Sequence, residues 1–342
     1  NDESQRQHEL VACTWTSASY RIRGKSGHEV TDGETRLKEW IEYHLMVGFD
    51  HIYIYDNSGA SSSLAPVIDL FPSHQVTRID WPCRICNNWK PANPDPGERS
   101  SQYAAEASCL NRFGSHTKWL ASFDIDEYMV PLGEHHKSMK DVLNQFHERY
   151  RILSFKSLRA KFRTDKGRPI VLDGDRHCNK GKKPPCLVPE TTILQAYNCD
   201  PVELPKPKWA ERAQKQIYRT DYVQHHFVHY STITRDTLKV ERNDGHRSNH
   251  ELAIDEVKHE AMMLHAKAVV PSGTANRETE RGCLGHSNCN MGTPWPGNVV
   301  SETDLKEKGT GMMYNCFVND VIERKWVPML EEALEKRNKA RT

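Results

Sequence analysis

The chain has 342 residues, with 47 Lys+Arg against 46 Asp+Glu and a net charge of +1. A near-neutral chain without a long basic stripe has no run of cations to neutralise phosphates, which argues against nucleic acid as its main partner. No stretch of about 18 apolar residues occurs, so no membrane span is expected and any anchor would lie outside this chain; the length suits one large enzyme domain or one with a subdomain.

Strand and helix patterns alternate through the first half, which predicts an α/β fold with a mainly parallel mixed sheet flanked by helices. Leu10–Trp15 reads as a short strand. Thr31 and Glu34 form a capping-box pattern ahead of Leu37, Trp40, Ile41, His44 and Leu45 at helical spacing, and Gly48 is placed to end that helix. His51-Ile-Tyr-Ile-Tyr55 follows as a buried strand and stops at the turn-prone Asp56-Asn57-Ser58-Gly59. A weak helix near Leu64–Leu70 precedes a strand at Gln75–Trp81, and a Pro- and Asn-rich loop runs on to Gly97. The helix that resumes near Ser100 is expected to pack through Tyr103, Ala104, Ala107 and Leu110. The strand Lys118–Phe123 then runs directly into Asp124-Ile125-Asp126-Glu127.

Ser138–Tyr150 is amphipathic through Met139, Val142, Leu143 and Phe146, and Arg151–Phe162 is a further strand. From there to Pro207 the chain is loop-rich, and the basic run Lys180-Gly-Lys-Lys183 reads as a solvated loop. Gln216–Ile233 returns to β-type residues; after Ala268 Gly, Pro and Asn accumulate, and a last helix spans Val318–Lys336.

The acidic triplet is the most informative feature. Alternate residues of an extended segment point the same way, so Asp124 and Asp126 can aim two carboxylates at one hard cation while Ile125 turns into the protein. Open α/β sheets bind ligands beyond the carboxyl ends of their strands, where Asp56-Asn57 and Asp124-Asp126 are both predicted to lie. An Asp-x-Asp by itself is weak, as Asp173-Gly174-Asp175 in a loop shows; the apolar strand before it and Glu127-Tyr128-Met129-Val130-Pro131 behind it supply the context.

Glu39-Trp-Ile-Glu-Tyr-His44, Gly48, His51-Ile-Tyr-Ile-Tyr-Asp-Asn-Ser58, Gln102 through Cys109-Leu110, and Trp119-Leu120 with Phe123-Asp-Ile-Asp-Glu-Tyr128 together resemble the ordered motifs of glycosyltransferase family 92, over about residues 10 to 235. The resemblance implies a GT-A type nucleotide-sugar-binding fold, with one catalytic domain over 1–342, its donor half in 1–150 and its acceptor half in 151–342. It further implies an inverting galactosyltransferase that uses UDP-galactose, with Mn²⁺ or Mg²⁺ as cofactor, a glycan as acceptor and the Golgi lumen or secretory pathway as its location. Asp56 is placed by it near the nucleotide, Asn57, Gln102 and Lys215 with it in the donor site, and Asp124 and Asp126 on metal and diphosphate.

For a third metal ligand, the family has a histidine fourteen positions after the lysine of a Lys-x-Ile motif, which Lys215-Gln-Ile217 and His229 match; His226 is the second choice. His225 and His229 would share a strand face but stand roughly 13 Å apart at about 3.3 Å per residue, too far to ligate one ion together. The catalytic base implied by the family's Gly-Leu-Val-x-Glu pattern falls on Glu190 in Leu187-Val-Pro-Glu190, ahead of Tyr197, with Asp173, Asp175 and Glu127 as rivals. A sugar-binding protein without catalysis and a metal-dependent nucleotidyltransferase are the alternatives, the latter lacking a glycine-rich triphosphate loop near the start.

Ten cysteines predict disulfides and an oxidising compartment, with connectivity left open. Zinc at Cys178 and Cys186 with His177, or at Cys283 and Cys289 with His286, would lack the paired CxxC spacing. Trp81-Pro82 and Asn87-Asn88-Trp89 around Cys83 and Cys86 read as loop and disfavour a thioredoxin-like motif. Trp81, Trp89, Trp209 and Trp295 are read as core or loop anchors before sugar platforms.

Overall fold

The computed structural model describes residues 6–18, 20–21, 29–30, 33–58, 63–81, 98–160, 170–171, 191–201, 214–228, 230–233, 257, 259–266, 269–270, 298–300 and 315–339. Its centre is an eight-stranded sheet. In chain order the strands are β1 (His8–Thr16), β2 (His51–Asp56), β3 (Val76–Asp80), β4 (Thr117–Ser122), β5 (Glu127–Pro131), β6 (Ile152–Arg159), β7 (Gln214–Arg219) and β8 (Ala261–His265). Across the sheet they run β3-β2-β1-β4-β7-β6-β8-β5. The pairs β3/β2, β2/β1, β1/β4 and β6/β8 are parallel, whereas β7 lies antiparallel between β4 and β6, and β5 closes the edge antiparallel to β8. This is the mainly parallel mixed sheet that the alternating pattern predicts.

The helices are α1 (Gly33–Met46), α2 (Ala65–Ile68), α3 (Glu98–Phe113), α4 (Met139–Phe146), α5 (Ile193–Ala196) and α6 (Val327–Lys339). Alternation along the strands sends Leu10, Ala12, Ile52, Ile54, Trp119, Ala121 and Ile217 to one face, where they pack with Leu37, Trp40 and Ile41 of α1, with α4 and with Leu330 of α6. Val11, Cys13, Tyr53, Tyr55, Leu120 and Tyr218 go to the other, against Ala105, Cys109 and Leu110 of α3. A disulfide between Cys13 and Cys109 joins β1 to α3 across that second face, and Cys199 is disulfide-bonded as well.

The face of α3 differs from expectation. Tyr103, Ala104 and Ala107 are exposed, and the buried side consists of Ser101, Ala105, Glu106, Cys109 and Leu110. An apolar-periodicity reading misplaces the helix because its inward stripe includes a serine and a carboxylate.

Gly48 ends α1 at φ +100°. Its N–H donates to Leu45 O at 3.1 Å and Phe49 N–H to His44 O at 3.0 Å, the pair of bonds of a Schellman cap. A Cβ here would lie 2.8 Å from Ser138 Cβ, the N-cap residue of α4. Gly48→Ala is therefore expected to cost at least about 1–2 kcal/mol from the left-handed backbone alone, read as a lowered midpoint in urea unfolding.

The described polar residues of the Glu39–His44 motif are scaffold. Trp40 Nε1 donates to Glu127 O at 2.8 Å, and Met129 N donates to His44 Nε2 at 3.3 Å, while His44 Nδ1 meets Trp40 O at 2.8 Å. Burial pushes the His44 pKa down to about 3, so it serves as a neutral acceptor that fixes β5. Glu39 accepts from Ile193 N, Leu194 N and Tyr128 Oη, tying α5 to α1 and β5. Among the described residues no helix is long and apolar enough to cross a membrane.

Candidate active site

The site lies where parallel strands end. In register, Thr16 of β1 stands beside Asp56 of β2, and Asp56 beside Asp80 of β3, while Cys13 pairs with Ser122 near the end of β4. Two strand spacings separate β2 from β4, so the Asp56 and Asp124 regions stand on the order of 10 Å apart on one edge.

Asp56 is fully covered. Its Oδ1 accepts from Ser58 N at 3.0 Å and its Oδ2 from Leu64 N at 3.1 Å and Arg78 Nε at 2.7 Å. Burial works to raise its pKa, yet the hydrogen bonds from Ser58, Arg78 and Leu64 hold the carboxylate below its usual range. With a side-chain exposure of 0% against 32% for Arg78, Asp56 shapes the strand end and Arg78 is the charge offered to solvent there. Asn57 Nδ2 donates to Trp81 O at 2.6 Å, and its own N–H to Thr16 O at 2.7 Å. Trp81 packs edge-on against Tyr55 and donates to Ser101 O, an anchor as read from sequence.

The acidic turn is held from three sides. Ile125 packs against the core as expected, but from within a turn between β4 and β5 rather than from the extended segment the spacing assumes. Asp124 N donates to Glu127 Oε2 at 2.9 Å and Glu127 N to Asp124 O at 2.9 Å, which closes the turn on itself. From α3, Gln102 Nε2 donates to Asp124 Oδ1 at 2.8 Å and approaches Glu106 Oε1 at 3.3 Å. From β7, the fully buried Lys215 places Nζ 3.0 Å from Glu127 Oε2 and 3.8 Å from Asp124 Oδ2, an ion pair without a well-directed hydrogen bond. From β8, His265 Nε2 lies 3.3 Å from Asp126 Oδ2 and Nδ1 3.8 Å from Glu127 Oε1. His265 stands opposite Glu127 in the β8/β5 ladder, and Ala266 N donates to Asp126 O at 2.7 Å.

The electrostatics follow from this crowding. Burial and the carboxylates of Asp124 and Glu127 push Glu106 up to about 8, against the pull of Lys215 and Gln102. Burial opposes the charge of Lys215, but Asp124, Glu127 and Glu106 together raise its pKa above the ordinary lysine value. Asp124 is raised by the protein packed around it and by Glu127 and Asp126, against Lys215 and His265; its side chain stays 39% exposed and so is open to solvent. Glu127, at 2% exposure, faces the protein and braces the turn.

The family model for glycosyltransferase family 92 matches residues 31–260, two thirds of the chain and the whole of this acidic turn. The chain belongs to glycosyltransferase family 92. Three curated members of that family are similar to it in part. A protein of Ricinus communis is 32% identical over 126 residues, 36% of this chain and 16% of the relative. A protein of Oryza sativa subsp. japonica is 30% identical over 118 residues, 34% and 17% of the two chains, and one of Arabidopsis thaliana 28% over 126 residues, 36% and 16%. The matched segment thus spans about a sixth of each relative.

Of the residues singled out in this family 92 chain, Gln102, Asp124, Asp126 and Lys215 come together, while Asp56 and Asn57 stand farther along the same strand edge. His229, Glu190, Asp173 and Asp175 lie outside the described residues, as do Trp89, Trp209, Trp295, His177, His286 and the six closely spaced cysteines. His226 is buried, hydrogen-bonded to Ser231 Oγ at 3.0 Å and stacked on Tyr218. Sequence reasoning missed Glu106 and His265. Glu106 is signalled by its helical spacing of four from Gln102; His265 is signalled only by the short apolar run Ala261-Met-Met-Leu264 that it ends.

Proposed function

We propose that this chain is a metal-dependent, inverting glycosyltransferase that takes a hexose from a UDP-sugar, UDP-galactose foremost, and passes it to a glycan hydroxyl. The observation that carries the reading is the Asp126–His265 pair, 3.3 Å apart, beside Asp124 on the carboxyl edge of the sheet. That separation suits two ligands of one ion, and two carboxylates with one imidazole fit Mn²⁺ better than the harder, oxygen-preferring Mg²⁺. Asp126 and His265, with Asp124, would hold the ion, and a divalent ion there supplies Lewis-acid neutralisation of the departing diphosphate.

The chain's own residues do the rest. Gln102 fixes the Asp124 rotamer, and Lys215 offsets the negative charge that the turn concentrates. Arg78, on β3, reaches across to Asp56 and sets its guanidinium beside the end of β2, about two strand spacings from β4, a span that a nucleoside diphosphate can bridge. The base must face the sugar from the side opposite the diphosphate and take the acceptor proton. Glu127 is committed to Lys215 and turned inward, so Glu190, with Asp173 and Asp175 behind it, remains our choice. The donor half is assigned to 1–150, completed by Lys215 of β7 and His265 of β8, and the acceptor half to the rest of 151–342. The Cys13–Cys109 and Cys199 disulfides support folding in the secretory pathway.

Purified protein incubated with UDP-galactose, Mn²⁺ and a mixed glycan acceptor pool should release UDP, and chelation should stop it. UDP-glucose and UDP-N-acetylglucosamine run alongside identify the donor. Pyrophosphate release would instead mark a nucleotidyltransferase, and binding without any release a sugar-binding protein.

A further inference from the structure

A second group of metal-binding side chains lies at the other end of the β5/β8 ladder. His135 and His136 sit in the loop between β5 and α4, and Glu260 immediately precedes β8. One ligand atom from each lies within 4.8 Å of the others. Since Ala261 pairs with Pro131 and His265 with Glu127, the group stands about 13 Å or more along the strands from the acidic turn, at four residues of 3.3 Å.

The group is built into the fold. His136 is 1% exposed, and its Nε2 lies 2.7 Å from Glu260 Oε2. Its Nδ1 is buried without a hydrogen-bond partner. Leu132 N donates to Glu260 O at 2.8 Å, His136 N donates to Gly133 O at 3.0 Å, and Lys325 Nζ donates to His136 O. Gly133 closes the cradle: a Cβ there would fall 2.4 Å from His136 Cδ2, 2.8 Å from its Nε2 and 3.0 Å from Glu260 Oε2. Only a residue without a side chain lets the imidazole and carboxylate lie against this backbone.

We propose that His135, His136 and Glu260 bind a transition-metal ion of the zinc class, separate from the ion of the acidic turn. Two imidazoles and a carboxylate are three of the four ligands of a tetrahedral zinc site, and water supplies the fourth. When the ion enters, it takes the place of the proton between His136 Nε2 and Glu260, the ring keeps its one proton on Nδ1 as a neutral imidazole, and the two ligand atoms move apart to the roughly 3.4 Å of tetrahedral ligands about 2.1 Å from the metal. The imidazole-rich set favours zinc over the Mn²⁺ or Mg²⁺ that the carboxylates of the turn prefer. Its structural effect is to pin the start of β8 to the β5–α4 loop, and β8 carries His265 at its far end.

The test uses the full chain stripped by a chelator and titrated with Zn²⁺ against a chromophoric competitor, in excess Mn²⁺. Wild type should bind one zinc more than the His135→Ala/Glu260→Gln double variant, and each single variant should weaken that zinc by at least the roughly 10- to 100-fold that even outer-shell changes cost. At the zinc concentration that half-saturates wild type, zinc should raise the melting midpoint of wild type more than that of His135→Ala, which is altered only at an exposed ring. Equal zinc uptake and equal midpoints in wild type and double variant would overturn the proposal. Loss of zinc in Asp126→Asn would do so too, because it would place the ion at the turn.

Discussion

Asp126→Asn is expected to lower sugar transfer by roughly 10³-fold while the protein keeps its fold. The asparagine occupies the same volume and still accepts a hydrogen bond, but it removes the charge that would bind the ion. Lewis-acid neutralisation of a leaving group is worth several kcal/mol of transition-state stabilisation; about 4 kcal/mol corresponds to roughly three decades of rate. His265→Ala should act in the same direction, since its Nε2 is 3.3 Å from Asp126 Oδ2, and should raise the Mn²⁺ concentration needed for half-maximal rate. The measurement is UDP release against Mn²⁺ concentration, with the unfolding midpoint as control. Full transfer by Asp126→Asn without any metal would remove the basis of the proposed mechanism.

Much of this arrangement is legible in the residues because local rules and tertiary structure agree there. Leu37, Trp40 and Ile41 at helical spacing, the β-branched and aromatic run of β2, Gly48 at a helix end and an acidic pair after an apolar strand all point to α/β architecture with its site on the carboxyl edge. What was not legible depends on partners far away in the chain. The importance of His265 comes from β8 pairing with β5, and a five-residue strand carries too little pattern to announce that pairing. The inward face of α3 was misread because Ser101 and Glu106 occupy positions where periodicity looks for apolar residues, and they do so because that stripe borders the site. Asp56 is placed beside the nucleotide by the family motif, and the structure adds that its carboxylate clasps Leu64 and Arg78, a detail that side-chain hydrogen bonds give and spacing does not.

The second large effect is on stability, from Lys215→Met. Lys215 is fully buried and is the cation that Glu127, Asp124 and Glu106 share. Methionine matches its length and apolar stem but leaves the 2%-exposed Glu127 without its counter-ion. Breaking a buried pair from one side costs roughly 3–5 kcal/mol, because the remaining charge, here left with the Asp124 N–H and His265 at 3.8 Å, has lost its buried counter-ion. The pH dependence has a definite sign. Glu106, already raised to about 8, contributes stability that is fully present below its unfolded value near 4.5 and is lost as pH rises through about 8. Removing the lysine takes away the cation that holds Asp124 and Glu106 down, so both rise further, and the deficit of the variant should widen from pH 5 to pH 8 and shrink in acid, where their protonation removes the uncompensated charge. Urea unfolding of both proteins at the two pH values measures this directly. A loss under 1 kcal/mol at pH 8, or a loss independent of pH, would show that the acidic turn does not depend on Lys215 for its charge balance.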